Sequence, residues 1–368
     1  MQQFTEKDHS YMRMALECAQ SVKGITIPNP AVGAVIVKND RVIATGATSR
    51  CGGPHAEKVA LGKAGEQSRG ATMYVTLEPC CHFGRTPPCT EAVISAGIHR
   101  VVTAIRDPNP LVAGKGIARL RRHGIAVSVG CMSRDAARLN EDFIYSITTL
   151  RAFVTLKLAL TLDGYIADSA GNSKWITAPA QRRAVHELRR RHAAVAVGRG
   201  TLVADDPRLD VRYGKRVRPA RIIFSSTEEI DRVSYFYKTA LTNRSIVVVR
   251  GKTEQRIMFD AETGLEYWFT GERDRHDSMD VFTRMAHNAD LTSIFVEGGA
   301  TVARALLEAQ LVNRLYLFYG NKILGGGMAG IRLGKGLPVD ACITLADQEI
   351  SLFEGGMAVT GIPEMSTP

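Results

Sequence analysis

Short apolar runs rich in β-branched residues alternate with helix-length segments along nearly the whole chain. This alternation restricts it to α/β folds with helices on both faces of a sheet. In the first half the strand-like runs are 34–38, 41–45, 71–77, 99–105 and 126–129. Asn39-Asp40 joins the first two and suits a two-residue hairpin turn. A helix is expected after Thr5-Glu6-Lys7-Asp8, which reads as a capping box, with Tyr11, Ala15, Cys18 and Val22 repeating at helical spacing. Further helices are expected from Ala56 to Gly62 or Gly65, from a Thr90 cap to Gly97, up to Gly124, and over 133–145.

A chain of 368 residues suits two domains rather than one. The pattern restarts near residue 150, so we expect domains 1–149 and 150–368. No Pro/Gly/Ser-rich linker separates them, which predicts a short join and packed domains. In the second half, strands are expected at 153–159, 193–197, 220–224, 245–249, 293–296 and 314–318. Ala178-Pro179 opens a helix running to about 191, and helices lie near 281–287 and 301–309. Residues 226–280 carry no clear pattern.

Hydrophobic residues make up 45% and charged residues 23%, values of an ordinary globular chain. No run of about 18 apolar residues predicts a membrane span. The polar start MQQFTEKDHS lacks an apolar signal core, so a cytoplasmic protein is expected. The formal net charge is +10. Without a block of five like charges or basic stretches interleaved with aromatics, this favours a phosphorylated small molecule over nucleic acid, and no membrane partner. Seven cysteines are present, three of them within ten residues, which suits a metal site better than disulfides.

That metal motif is His55-Ala56-Glu57, then Pro79-Cys80-Cys81-His82 and, past an insertion, Pro87-Pro88-Cys89. A catalytic zinc takes three protein ligands and keeps one position open. A glutamate two residues after the histidine can shuttle a proton without binding the metal. The order matches the H-x-E…P-C-x-x-C signature of zinc deaminases, except that eight residues rather than two lie between Cys80 and Cys89. A structural zinc knot is the plainer alternative. Cys18, Cys51, Cys131 and Cys342 lack such context and read as core or surface thiols.

The chain resembles the bifunctional deaminase/reductase family of riboflavin biosynthesis. Pro28-Asn29-Pro30-Ala31-Val32-Gly33, His55-Ala56-Glu57, Glu78-Pro79-Cys80 and Gly84-Arg85-Thr86-Pro87-Pro88-Cys89 look like its deaminase half. Lys157-Leu158-Ala159, Leu162-Asp163-Gly164, Ser173-Lys174-Trp175-Ile176-Thr177, Gly198-Arg199-Gly200-Thr201, Asp205-Asp206-Pro207-Arg208-Leu209 and Glu297-Gly298-Gly299 look like its reductase half. The resemblance implies a cytidine-deaminase-like α/β/α first domain and a dihydrofolate-reductase-like α/β second domain. It puts zinc on His55, Cys80 and Cys89, with Glu57 as proton shuttle. It puts Asn29, His82, Arg85, Asp107 and Asn109 near the deaminase substrate, Arg85 on its phosphate. The family pattern carries serine after the first cysteine; here Cys81 offers a second adjacent thiol.

In the second half the resemblance assigns Ala159, Trp175, Thr201, Asp205, Gly299, Ala300 and Thr301 to NADPH. It assigns Ser173, Arg189, Leu209, Arg212 and Glu297 to the substrate. Physically, Gly298-Gly299 after an apolar strand lets a phosphate approach helix amides, although most such pairs are ordinary turns. Trp175 could equally be a core residue. Arg182, Arg183, Arg190 and Arg191 read as a solvated basic face. The implied reaction is hydrolytic deamination of 2,5-diamino-6-(5-phosphoribosylamino)pyrimidin-4(3H)-one, then reduction of its ribosyl group, by a homo-oligomer, a dimer being favoured. Two rivals are a nucleic-acid-editing deaminase with a basic accessory domain, which predicts salt-sensitive oligonucleotide binding, and a catalytically dead regulator.

Overall fold

The computed structural model describes residues 4–83, 87–110, 112–214, 217–251, 254–271, 274–334 and 336–365. Its contacts divide into two compact units, Met1–Leu150 and Arg151–Pro368. The first runs α1 (Glu6–Gln20), β1 (Gly33–Lys38), β2 (Arg41–Ala47), α2 (Ala56–Ala64), β3 (Thr72–Leu77), α3 (Cys89–Ser95), β4 (Arg100–Ile105), α4 (Lys115–Arg122), β5 (Ala126–Val129), α5 (Ser133–Leu139) and α6 (Glu141–Thr149). Its five-stranded sheet has the order β2-β1-β3-β4-β5, with β3, β4 and β5 parallel and β1 antiparallel to both neighbours.

Successive side chains of a strand point to opposite faces. Ala34 and Ile36 therefore join one core with Ala56, Ala60, Val93 and Leu120. Val35 and Val37 join another with Met12, Ala15 and Ala136. Helices thus cover both faces of the sheet. Gly46 makes one of these approaches possible: a Cβ there would lie 2.3 Å from the Ala56 carbonyl oxygen, so the start of α2 presses directly on β2.

The capping box at Thr5 forms as expected: Thr5 Oγ1 accepts from the Asp8 amide and the Asp8 carboxylate accepts from the Thr5 amide. Two helix expectations are corrected. The helix expected after a Thr90 cap begins at Cys89 with Pro88 in the capping place, and Thr90 is buried. The free Cys89 amide donates instead to the Cys80 sulfur at 3.3 Å. The single helix expected over 133–145 is two helices that meet at Asn140. There the side chain bonds both the amide and the carbonyl of Ala31, each at 2.9 Å. A tertiary bond has overridden an unbroken helical pattern.

The second unit runs β6 (Phe153–Leu160), β7 (Tyr165–Ala167), α7 (Pro179–Arg191), β8 (Ala194–Gly198), α8 (Arg199–Asp205), β9 (Ala220–Ser225), α9 (Tyr235–Lys238), β10 (Ser245–Val249), β11 (Arg256–Asp260), β12 (Leu265–Phe269), α10 (Arg275–Asn288), β13 (Ser293–Glu297), α11 (Ala300–Glu308), β14 (Arg314–Gly320), β15 (Met328–Ala329), β16 (Ile343–Phe353) and β17 (Gly356–Met365). Ten strands form one sheet in the order β11-β12-β10-β9-β8-β13-β6-β14-β17-β16. From β12 to β14 all neighbours are parallel; β11, β17 and β16 add antiparallel edges. The patternless stretch 226–280 holds the one-turn α9, the exposed edge strand β11 and β12, alongside the expected β10. A short helix and an exposed edge give no strong period, which is why they were illegible.

Candidate active sites

In the first unit three chain segments converge. His55 precedes α2, Cys80 follows β3, and Cys89 opens α3. His55 Nδ1 lies 3.7 Å from Cys80 Sγ and 3.3 Å from Cys89 Sγ. All three ligand atoms lie within 4.8 Å of one another. One imidazole and two thiols at this spacing fit the three-ligand set of a catalytic zinc. Cys81 stands outside the cluster, and burial pushes its thiol up. The bond between the two clustered thiols pulls Cys80 well below its ordinary value and pushes Cys89 up. Glu57, buried in the first turn of α2, is hydrogen-bonded to the Cys89 thiol, and burial raises its carboxyl.

The expected substrate residues surround this cluster unevenly. Asp107 and Asn109 lie in the loop after β4, where the Asp107 carboxylate accepts the Asn109 amide at 2.9 Å. Burial pushes Asp107 to about 6, and it feels the charges of Cys80 and His82. His82 Nδ1 is buried with no partner among the described residues, an orphan available to a ligand. Asn29 sits in the turn before β1, its backbone tied to Thr26 and its loop clamped through Ala31 by Asn140. Arg85 lies outside the described residues. Sequence reasoning quoted Glu78 only as motif and missed its work. Its buried carboxylate accepts amides from Asp107, Gly114 and Ile117, fixing the loop that carries Asp107 and Asn109.

In the second unit Glu297 ends β13 and forms an ion pair with Arg189 of α7. Lys157 is in register with Glu297 on β6, its Nζ 3.8 Å from the carboxylate. Burial pushes Lys157 down. It opposes Glu297's charge too, yet Arg189 and Lys157 hold Glu297 below its ordinary value. Arg189 also donates to the Asp210 carbonyl at 2.9 Å, and Arg212 lies 3.0 Å from His186 Nε2. Burial, with Arg189 and Arg212 nearby, pushes His186 to about 4. Lys157 entered only as part of the Lys157-Leu158-Ala159 motif, without a role, and His186 was missed. Lys157 had a signal, as a lone charge inside the apolar run FVTLKLAL.

Of the expected cofactor residues, Thr201 and Gly299 are brought together: a Cβ on Gly299 would lie 3.4 Å from Thr201 Oγ1. Gly299 is the N-cap of α11 without a side-chain cap, which leaves Ala300 and Thr301 to present their amides. This cradle, which side-chain bulk would fill, fits a nucleotide phosphate. Trp175 is 61% exposed with the Arg182 guanidinium 4.5 Å from its ring centre, so it is no core residue. Asp205 pairs with Lys174 at 3.3 Å, Ala159 pairs with Phe318 within the sheet, and the Ser173 carbonyl accepts the Ile176 amide. Leu209 is buried in the core with Val185 and Leu188.

Residues 5–105 match the model of the cytidine and deoxycytidylate deaminase zinc-binding region, and residues 152–359 match that of the RibD C-terminal domain. Fold and site together therefore define a zinc-binding deaminase domain followed by a reductase-type α/β domain. The chain is 41% identical to the riboflavin biosynthesis protein RibD of Aquifex aeolicus, over 88% of this chain and 90% of that one. It is 39% identical to that of Escherichia coli K12, over 90% and 92%. The chain belongs to the RibD family of riboflavin biosynthesis proteins. The solved Acinetobacter baumannii RibD aligns with a TM-score of 0.86 at 33% identity, covering 98% of this chain and 99% of that one. A Thermotoga maritima diaminohydroxyphosphoribosylaminopyrimidine deaminase/5-amino-6-(5-phosphoribosylamino)uracil reductase aligns with a TM-score of 0.82 at 35% identity, covering 97% and 99%.

Proposed function

We propose that the first unit hydrolytically deaminates 2,5-diamino-6-(5-phosphoribosylamino)pyrimidin-4(3H)-one and that the second reduces the ribosyl side chain of the product to ribityl with NADPH. The observation that carries this is the convergence of His55, Cys80 and Cys89 beside the buried carboxyl of Glu57. The printed name of the Thermotoga relative supports the substrate. The match of 152–359 to the RibD C-terminal domain speaks against a nucleic-acid grip.

His55, Cys80 and Cys89 would hold zinc, which would supply a Lewis acid for activating water near neutral pH. Glu57 takes the proton of the attacking water and delivers it to the departing amine; the ring carbon gains oxygen and ammonia leaves. Asn29, His82, Asp107 and Asn109 orient the ring, and Arg85 forks onto the 5′-phosphate. In the second unit Thr201, Gly299, Ala300 and Thr301 would hold the phosphates of NADPH, which would supply hydride. Ala159, Trp175 and Asp205 line the same cofactor. Ser173, Arg189, Leu209, Arg212 and Glu297 position the sugar phosphate.

We place the enzyme in the cytoplasm as a homodimer. Seven cysteines, none of them in a disulfide, support a reducing compartment. The apolar Ile350 and Leu352, exposed on the sheet-edge strand β16, support a self-contact. No described helix is long and apolar enough to cross a membrane. A coupled assay with the pyrimidine substrate, following ammonia release and NADPH loss, tests the reading; it fails if neither occurs with zinc-loaded protein.

A further inference from the structure

A cleft of about 250 Å³ opens in the second unit at the carboxyl ends of β8, β9 and β10, beside the starts of α8, α10 and α11. Phe224, Val248 and Met279 give it an apolar wall, and all three are buried. Three half-buried arginines, Arg199, Arg250 and Arg275, line the same space. Arg199 donates to the Thr227 hydroxyl, and none of the three has a carboxylate partner among the described residues. Asp274, next to Arg275, uses its carboxylate to cap α10 through the amides of His276 and Asp277. Three guanidiniums gathered on one slot, with no carboxylate partner among the described residues, form a field that calls for a multiply charged anion.

Position narrows the ligand. The cleft touches Thr301 and Val302 at the start of α11, next to the Gly299 turn. Arg250 follows β10, which lies three places from β13 in the strand order β10-β9-β8-β13. At the usual spacing that is roughly 14 Å. A dinucleotide whose diphosphate meets the Gly299 turn therefore extends its adenosine along the apolar wall toward Arg250 and Arg275. We propose that Arg250 and Arg275, with Arg199, hold the 2′-phosphate of the adenine ribose and make this unit select NADPH over NADH. The proposal rests on the nicotinamide-reductase reading above.

The test is calorimetric titration of the full chain with 2′,5′-ADP and with 5′-ADP, which carry the same number of phosphates in different places. Each lost charge-assisted contact costs about tenfold or more in affinity. The unaltered protein should bind 2′,5′-ADP at least about tenfold more tightly. Arg250→Ala/Arg275→Ala should abolish that preference while leaving 5′-ADP binding within about twofold, and Arg250→Lys/Arg275→Lys should retain part of it. Equal affinity for the two probes in the unaltered protein overturns the cradle but leaves the reductase reading. So does a preference that survives the double alanine variant. Failure to bind either probe, NADPH or NADH overturns both.

Discussion

The carboxylate of Glu78 accepts the backbone amide of Ile117 at 3.0 Å across 39 residues of sequence. It also accepts the amides of Gly114 at 2.9 Å and Asp107 at 3.2 Å, so one buried side chain ties the end of β3 to both ends of the connection between β4 and α4 and to the first turn of α4. No Cβ fits at Gly116, where it would lie 2.1 Å from the Pro79 carbonyl oxygen; the first turn of α4 is thereby pressed against the Cys80 segment.

Glu78→Ala should leave three backbone amides without their acceptor. At about 1 kcal/mol or more for each, the loss is roughly 3–5 kcal/mol. Denaturant unfolding of the full chain should show the first transition moved by that amount. A shift below about 1 kcal/mol would mean that water replaces the carboxylate without cost.

Cys80→Ser should abolish zinc retention and ammonia release, because it removes a ligand atom from the cluster. Cys81→Ser should keep both, since Cys81 stands outside it. Metal analysis of the two purified variants decides the matter, and zinc lost from the Cys81 variant alone would reverse the assignment.

Glu57→Gln keeps the shape of the side chain but cannot carry a proton. General acid–base catalysis is worth about 10²–10⁴-fold, so ammonia release should fall by at least that range with zinc retained. Reduction of already deaminated substrate should continue at its normal rate. A parallel fall in both activities would show that the two centres are coupled.

Asp8 should make the first unit acid-sensitive. Against the cost of burial, bonds from Arg100, the Thr5 amide and the Tyr74 hydroxyl hold its carboxyl at about 2 rather than 3.8. A depressed folded-state value gives stability that is fully present above the unfolded value and lost as pH falls from about 3.8 through about 2. The amount is on the order of 2 kcal/mol. Asp8→Asn should be less stable at pH 7 and should converge with the unaltered protein near pH 2. Melting curves that stay parallel from pH 7 to pH 2 would rule the linkage out.

Gly299→Val should weaken NADPH binding, because β-branched bulk would fill the cradle facing Thr201 Oγ1. Fluorescence titration with NADPH reads this directly. Unchanged affinity would make the turn structural only.

The alternation of apolar runs and helical segments determined the α/β class, and His55, Glu57, Cys80 and Cys89 were legible because their chemistry is written in residue type and order. Local pattern also marked the Thr5 cap and the parallel strands, whose buried β-branched runs have a strong signal. What only the tertiary structure decided were relations between distant residues. The break at Asn140 depends on Ala31, and the loop holding Asp107 depends on Glu78. The partnership of Lys157 and Glu297 depends on the register of β6 against β13. Each is a contact between groups that share no local period, so its energy appears only once the chain has closed on itself.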